Sequence, residues 1–191
     1  MNLGGEEREV TILFSDIRGF TSMSENMSPE KVVSTLNEYF SDMIDIVFKY
    51  NGTLDKIIGD ELMIVYGAPI SAEDNTQRAV NTAVEMQKQI IRLNKERKKR
   101  KDMPISAGIG INRGIVVSGN IGSRDMMDYT VIGDTVNLGA RLCSAAGPGE
   151  ILVSSAVWKE TQKDCSYKEL EPIKVKGKKN KVGVYRIEQD G

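Results

Sequence analysis

The 191-residue sequence has no histidine, only two cysteines and no apolar run long enough to cross a membrane. The missing histidine excludes Ser-His-Asp and Cys-His catalysis as well as histidine-based zinc sites. Cys143 and Cys165 are too few for a thiolate zinc site. There is no excess of either charge, with 26 Lys and Arg against 27 Asp and Glu, so nothing attracts nucleic acid or anionic lipid globally. Any catalysis must therefore use carboxylates, lysine, arginine, hydroxyl groups or metal ions.

Length and composition predict a single domain over residues 1–191. At roughly 150 residues per domain, one domain is favoured over two. The 40% hydrophobic and 28% charged residues are typical of a soluble globular chain. The acidic, apolar-poor stretch Met1–Val10 is unlike a signal peptide, so we expect a cytoplasmic location. An abrupt start just before a strong strand pattern also fits a domain excised from a longer regulated protein.

Strand and helix patterns alternate along the first half of the chain. A strand is predicted at Val10–Phe14, followed by a helix that begins near Ser28. Thr53–Ile58 and Glu61–Tyr66 predict a hairpin with a two-residue, glycine-containing connection. A second long helix is predicted from Asp74 onward.

The second half completes an α+β fold. Two strand-like runs flank Asn112, Arg113 and Gly114, which predicts a second hairpin with these residues as its turn. The order strand, helix, hairpin, helix, strand matches a ferredoxin-like βαββαβ core, in which both helices cover one face of an antiparallel sheet. A helix at about Thr135–Ala145 and further strands to Ile187 form a C-terminal extension of this core.

Two acidic residues are candidates for a metal site. Asp16 follows the first strand directly, and Asp60 lies at the tip of the first hairpin, so neighbouring strands would bring their carboxylates together. Mg²⁺ prefers a few hard oxygen ligands together with substrate phosphates. Either Asp alone is as well explained as a turn residue. The segment Ile17–Thr21, which includes Phe20, offers successive backbone N–H groups around a glycine and is a weak candidate for binding phosphate.

Asn137 and Arg141 form a second candidate pair, because their i, i+4 spacing places both on one helix face. An amide and a guanidinium that point together are suited to stabilising charge on a reacting phosphorus. On these residues alone, a solvated surface pair is the favoured interpretation.

Four segments together resemble the class III adenylyl and guanylyl cyclase catalytic domain, and bacterial-type adenylyl cyclases most of all. They are FSDIRGFT (14–21), KIIGDELMIVYG (56–67), DYTVIGDTVNLGARL (128–142) and VKGK (175–178). They occur in the family's order and cover nearly the whole chain. The family's ferredoxin-like sheet agrees with the element order predicted above.

The resemblance implies a metal site and a purine site. Asp16 and Asp60, helped by the Ile17 carbonyl, would hold two Mg²⁺ or Mn²⁺ ions. Lys56 and Thr130 occupy the positions at which the family recognises the purine. Lysine is the adenine-type residue where guanylyl cyclases carry Glu, and threonine is common in bacterial-type adenylyl cyclases where guanylyl cyclases favour Cys.

The remaining positions carried over by the resemblance serve the ribose and the phosphates. Asn137 would orient the ribose, Arg141 would stabilise the transition state, and Lys176 would neutralise the β and γ phosphates. Arg124, in a loop whose length varies in the family, is a further candidate for the triphosphate. In this family the sites form across a head-to-tail dimer, so a chain with both residue sets implies a homodimer and a nearly inactive monomer.

The implied activity is an adenylate cyclase that converts ATP to 3′,5′-cyclic AMP and pyrophosphate. A sensor or regulatory domain upstream is expected, whereas nucleic acid and direct membrane contact are not. Guanylate cyclase and a catalytically silent dimerisation module are the alternatives. A diguanylate cyclase is disfavoured because its full signature is absent.

Overall fold

The computed structural model describes residues 5–123 and 125–190. Within these ranges the chain forms eight strands: β1 (Glu6–Ile17), β2 (Thr53–Ile58), β3 (Glu61–Tyr66), β4 (Ala107–Ser123), β5 (Met126–Ile132), β6 (Ile151–Ser154), β7 (Tyr167–Ile173) and β8 (Val182–Ile187). The same ranges contain five helices: α1 (Phe20–Glu25), α2 (Pro29–Lys49), α3 (Asn75–Lys99), α4 (Asp134–Ala145) and α5 (Ser155–Thr161).

All eight strands belong to one sheet. Seven follow the order β2-β3-β1-β4-β6-β8-β7, and β5 pairs with β4 off this path. Only the β4–β6 pairing is parallel among the described strands. The α+β class and the ferredoxin-like core with its C-terminal extension are therefore confirmed.

Helices α2 and α3 cover one face of the sheet, as the core arrangement requires. Helix α2 begins where Pro29 supplies a fixed φ and the Ser28 hydroxyl accepts a hydrogen bond from Lys31 N. Its apolar stripe, with Tyr39 and Met43 fully buried, packs into the main core against β1, β3 and β4. This core fixes the sheet on which the candidate residues lie.

Helix α4 lies on the opposite face, close to β1 and β4. Gly139 in the helix and Gly110 in β4 permit this approach, because neither has a side chain in the contact. A Cβ on Gly139 would lie 3.2 Å from Phe14 Cδ2, and one on Gly110 would lie 2.7 Å from the Gly139 carbonyl oxygen. The sheet therefore has a helix layer on each face.

The predicted second hairpin at Asn112–Gly114 is wrong. Strand β4 runs straight through these residues, which pair in register with β1 from Val10↔Gly114 to Ile12↔Asn112. The Asn112 amide donates to the Thr135 carbonyl, so tertiary contacts outweigh its turn preference. The hairpin connection comes after Ser123 instead, where β4 turns into β5.

Candidate active site

Asp16 and Asp60 meet at one end of the sheet. Strands β1 and β3 are antiparallel neighbours, with Ser15 opposite Leu62, so the end of β1 lies beside the β2–β3 connection. The Ile17 backbone N–H donates to Asp60 Oδ2 at 3.1 Å. A cavity of about 270 Å³, here named the acidic cavity, is lined by Asp16, Asp60 and residues 17–22. The structure therefore brings together the five residues predicted for this part of the site: Asp16, Ile17, Phe20, Thr21 and Asp60.

The acidic cavity contains an electrostatic conflict. Burial, a hydrogen bond with Asp60 and the Asp60 charge raise the pKa of Asp16 to about 7. The Arg18 guanidinium, 3.3 Å from Asp16 Oδ2, opposes this shift only in part. Two partly buried carboxylates in contact favour the uptake of a cation or a proton, and two oxygen donors of this kind fit Mg²⁺ or Mn²⁺. Over the described residues, no group of three or more Asp, Glu, Cys or His side chains is placed to hold a metal ion.

The predicted phosphate-binding segment Ile17–Thr21 is only partly available. The Ile17 N–H is committed to Asp60, and the Arg18 N–H donates to the Ser106 carbonyl. The backbone then turns at Gly19, whose φ of 67° suits glycine, and α1 begins at Phe20. Phe20 packs against the main core, which leaves Thr21 exposed at the cavity.

A second group of polar side chains, the Lys56 cluster, consists of Asp55, Lys56, Asp128 and Thr130. Lys56 Nζ donates to Thr130 Oγ1 at 3.0 Å, so the structure pairs the two residues predicted to read the purine. Thr130 Oγ1 is also 2.9 Å from Asp55 Oδ1, and Lys56 Nζ is 3.8 Å from Asp128 Oδ2. Sequence reasoning missed Asp55. An acidic residue inside a strand, where Asp is disfavoured, was the available signal.

Asn137 and Arg141 lie on the outer side of α4. Both residues are exposed, and neither side chain has a hydrogen bond or ion pair within residues 5–123 and 125–190. The helix is held by the opposite side, where Leu138 and Leu142 are buried. We name this outer side the α4 face.

The loop that carries Lys176 packs onto the same helix. Val175 joins the buried cluster of Leu138 and Leu142, and Lys178 Nζ forms an ion pair with Asp134 Oδ2 at 2.8 Å. The exposed Lys176 is therefore tethered on both sides to α4. Arg124, the remaining predicted residue, lies outside the described residues.

The chain thus presents two separate sets of candidate residues. None of the described residues of the Lys56 cluster or the α4 face lines the acidic cavity. Exposed apolar side chains concentrate on the β4–β5 arm, defined here as residues 117–123 and 125–132. They include Val117, Ile121, Met126, Met127, Tyr129 and Ile132. Large exposed apolar patches are a general feature of interaction sites.

Comparisons with known proteins point in one direction. Residues 5–189 match the family model described as adenylate and guanylate cyclase catalytic domain. An adenylate cyclase from Anabaena cylindrica is 36% identical over 189 residues, which cover 94% of this chain and 37% of that protein. Adenylate cyclase 1 of Rhizobium meliloti is 29% identical over 94% of this chain and 27% of its own length. The chain therefore spans only about a third of these relatives.

Solved structures with the same fold include cyclases of both nucleotide types. The adenylyl cyclase CyaB from P. aeruginosa superposes with a TM-score of 0.94 at 35% identity, covering 99% of this chain and 98% of that one. The guanylyl cyclase Cya2 superposes with a TM-score of 0.93 at 39% identity, covering 99% and 96%. No described helix has both the length and the apolar character needed to cross a bilayer.

Proposed function

Because the chain belongs to the family of adenylate and guanylate cyclase catalytic domains, we propose that it converts ATP to 3′,5′-cyclic AMP and pyrophosphate. The ribose 3′ hydroxyl loses its proton and its oxygen bonds to the α phosphorus. The bond from that phosphorus to the oxygen bridging to the β phosphate breaks, and pyrophosphate leaves. Positioning and electrostatic stabilisation dominate such a reaction, so the lack of histidine is no obstacle.

The contact between Lys56 and Thr130 carries the assignment to ATP. A lysine ammonium only donates hydrogen bonds, whereas a hydroxyl oxygen also accepts them. Adenine offers an acceptor at N1 beside a donor at its 6-amino group. The two side chains, 3.0 Å apart, match this pair of groups.

The acidic cavity fits the divalent ions that the family uses. Asp16, Asp60 and the Ile17 carbonyl are oxygen donors of the type that Mg²⁺ and Mn²⁺ prefer, and burial together with the neighbouring Asp60 raises the pKa of Asp16. Two ions bound there would supply charge stabilisation to the triphosphate and to the attacking oxygen.

The α4 face supplies the groups that act on the sugar and the phosphates. We assign Asn137 to orienting the ribose, Arg141 to the charge on the α phosphate, and Lys176 to the β and γ phosphates. A loop tethered to α4 by Val175 and Lys178 keeps Lys176 near the same helix. Arg124 remains a candidate triphosphate ligand on sequence grounds.

The active form proposed is a head-to-tail homodimer with two sites. Its support is the separation of the acidic cavity from the α4 face within one chain, together with the exposed apolar side chains of the β4–β5 arm. A second copy would place the acidic cavity of one subunit opposite the α4 face of the other. Because the relatives are much longer than this chain, we further propose that residues 1–191 form one domain of a longer protein with an upstream sensor.

Guanylate cyclase is the alternative that a specific observation favours, because Cya2 is 39% identical to this chain. Product analysis separates the two. Purified protein at micromolar concentration is incubated with ATP or GTP and Mn²⁺, beside Asp60→Ala and the matched control Asp164→Ala, which removes an exposed acid after α5. We expect cyclic AMP from ATP, lost only in Asp60→Ala. Cyclic GMP as the main product would overturn the ATP assignment, and neither product from a proven dimer would favour a silent module.

A further inference from the structure

Asp55 is a buried acid at the centre of the Lys56 cluster. Its side chain is only 5% exposed, and Asp is almost never buried without a partner. Both carboxylate oxygens contact the Thr130 hydroxyl, at 2.9 and 3.0 Å, and Oδ1 lies 3.5 Å from Lys56 Nζ. The carboxylate therefore touches both side chains assigned to the base.

A β-bulge explains how neighbouring residues reach one hydroxyl. Along a regular strand, successive side chains point to opposite faces. In β2, Leu54 lies opposite Ile64 and Lys56 lies opposite Met63, so Asp55 is the additional residue. Such a bulge re-aims a side chain, and here it directs Asp55 and Lys56 to the same atom of Thr130.

The hydrogen bonds of the Thr130 hydroxyl can be assigned without ambiguity. A hydroxyl has one hydrogen and two lone pairs, an ammonium has no lone pair, and a carboxylate has no hydrogen to give. The hydroxyl hydrogen must therefore go to Asp55, and Lys56 must donate to one lone pair of Oγ1. One lone pair is left, and it accepts from whatever lies in front of the cluster.

We propose that Asp55 is a positioning residue that makes Thr130 an obligate acceptor and thereby selects adenine over guanine. This rests on the proposed function, since Lys56 and Thr130 must face the base. The 6-amino group of adenine donates to the free lone pair, while its N1 accepts from Lys56. Guanine in the same pose presents a carbonyl to the lone pair and an N–H to the ammonium, so both contacts become repulsive.

The alternative role for Asp55 is a counter-charge for Lys56, and the test separates the two. The kcat/KM ratio for ATP over GTP is measured in wild type, Asp55→Asn, Thr130→Val and the double variant. Asp55→Asn keeps the shape but replaces one of the two carboxylate oxygens beside Oγ1 with an NH2 donor, which occupies the lone pair otherwise left for the 6-amino group of adenine. We expect the ratio to fall about tenfold, as one misdirected buried hydrogen bond predicts.

The double variant and a charge control decide the outcome. If Asp55 acts through the hydroxyl, Asp55→Asn has no effect on the ratio in the Thr130→Val background. Asp128→Asn removes the other acid near Lys56, an exposed side chain 3.8 Å from Nζ, and should lower the ratio less than Asp55→Asn does, because Asp128 has no hydrogen bond to the Thr130 hydroxyl. An unchanged ratio in Asp55→Asn, or an equal fall in both backgrounds, would overturn the proposal.

Binding measurements keep this test independent of catalysis. Dissociation constants of fluorescent ATP and GTP analogues are measured for the same variants, with circular dichroism to verify folding. Asp55-dependent preference for ATP in a chain that forms no cyclic product would refute the proposed function and support the role of Asp55. Production of cyclic AMP with a preference insensitive to Asp55 would do the reverse.

Discussion

The acidic cavity and the Lys56 cluster differ in how their negative charge is balanced. In the cavity, Asp16 and Asp60 face each other, and Arg18 offsets their repulsion only partly. In the cluster, the buried Asp55 carboxylate has a hydroxyl donor and a nearby ammonium. The first region keeps an excess of negative charge despite Arg18 and is suited to binding a cation, whereas the carboxylate of the second already has a donor and a nearby ammonium. This difference in charge balance underlies the proposal that one region binds ions and the other discriminates between bases.

The largest effect on cyclase activity is expected from single substitutions in the acidic cavity and on the α4 face. Asp60→Ala and Arg141→Ala should each lower cyclase activity to about a thousandth, because each removes charge stabilisation from the transition state. A mixture of the two inactive proteins should regain about a quarter of the wild-type rate, since half of random dimers carry one intact site.

Matched mixtures control this experiment. Asp60→Ala mixed with Asp16→Ala alters the same half-site twice and should stay inactive. Absence of recovery in the first mixture, with heterodimers demonstrated, would contradict a site shared between subunits.

Lys56→Glu should give the Lys56 cluster the same excess of negative charge that the acidic cavity has. It places a new carboxylate beside buried Asp55, and like charges in contact cost several kcal/mol. We expect kcat/KM for ATP to fall about 100-fold, with a lower denaturation midpoint in urea. Lys56→Met, which removes charge without adding a repulsive one, should unfold at a higher urea concentration than Lys56→Glu. Equal stability of the two variants would argue that the charge at position 56 does not interact with the Asp55 carboxylate.

Proton competition should be visible at the cavity. Because the pKa of Asp16 is raised to about 7, a proton occupies the carboxylate below that pH and must leave before Mn²⁺ binds. Mn²⁺ affinity, measured calorimetrically without nucleotide, should fall about tenfold per pH unit below 7 and level off above 8. Buffers of different ionisation enthalpy should report release of about one proton at pH 6 and almost none at pH 8. An affinity independent of pH over this range would contradict the electrostatic description.

The last comparison concerns the free energy of unfolding, which should change in opposite directions when an acid is neutralised in the two regions. In metal-free protein at pH 8, Asp60→Asn should raise the free energy of unfolding by up to about 1 kcal/mol, because it relieves repulsion in a partly exposed pair. Asp55→Asn should lower the free energy of unfolding by about 1–3 kcal/mol, because the buried Thr130 hydroxyl loses the carboxylate that accepts its hydrogen. At pH 5 Asp16 is protonated, so the gain from Asp60→Asn should disappear, while Asp164→Asn stays neutral throughout. Urea unfolding measures the stability of all three variants. If Asp60→Asn and Asp55→Asn shifted the free energy of unfolding in the same direction, the proposed difference between the two regions would be wrong.

The acidic cavity was open to prediction from sequence because its determinants are local. A strand end and a hairpin tip can be recognised from short patterns, and adjacent strands bring Asp16 to Asp60. The long helices could be predicted equally well from their apolar periodicity. Strand β1 extends beyond the predicted Val10–Phe14 because β4 continues to pair with its charged start.

The Lys56 cluster could not be predicted from local patterns. Its bulge depends on how β2 pairs with β3, and the unusual Asp55 within the strand does not reveal which residues it contacts. Gly114 was equally misleading. Its missing side chain suits a strand position where a Cβ would lie 2.6 Å from Thr135 Oγ1, a contact that exists only in the folded protein. Family resemblance gave the Lys56 and Thr130 positions, but only the structure supplied their shared acid.

The long sequence separation within the Lys56 cluster has a consequence for folding. Lys56 and Thr130 are 74 positions apart and lie on hairpins that are not adjacent in the sheet. Contacts of such high order form only after the intervening chain has been organised, whereas helices need only local bonds. If the cluster selects the purine as proposed, we expect nucleotide selectivity to return later in refolding than the helical signal.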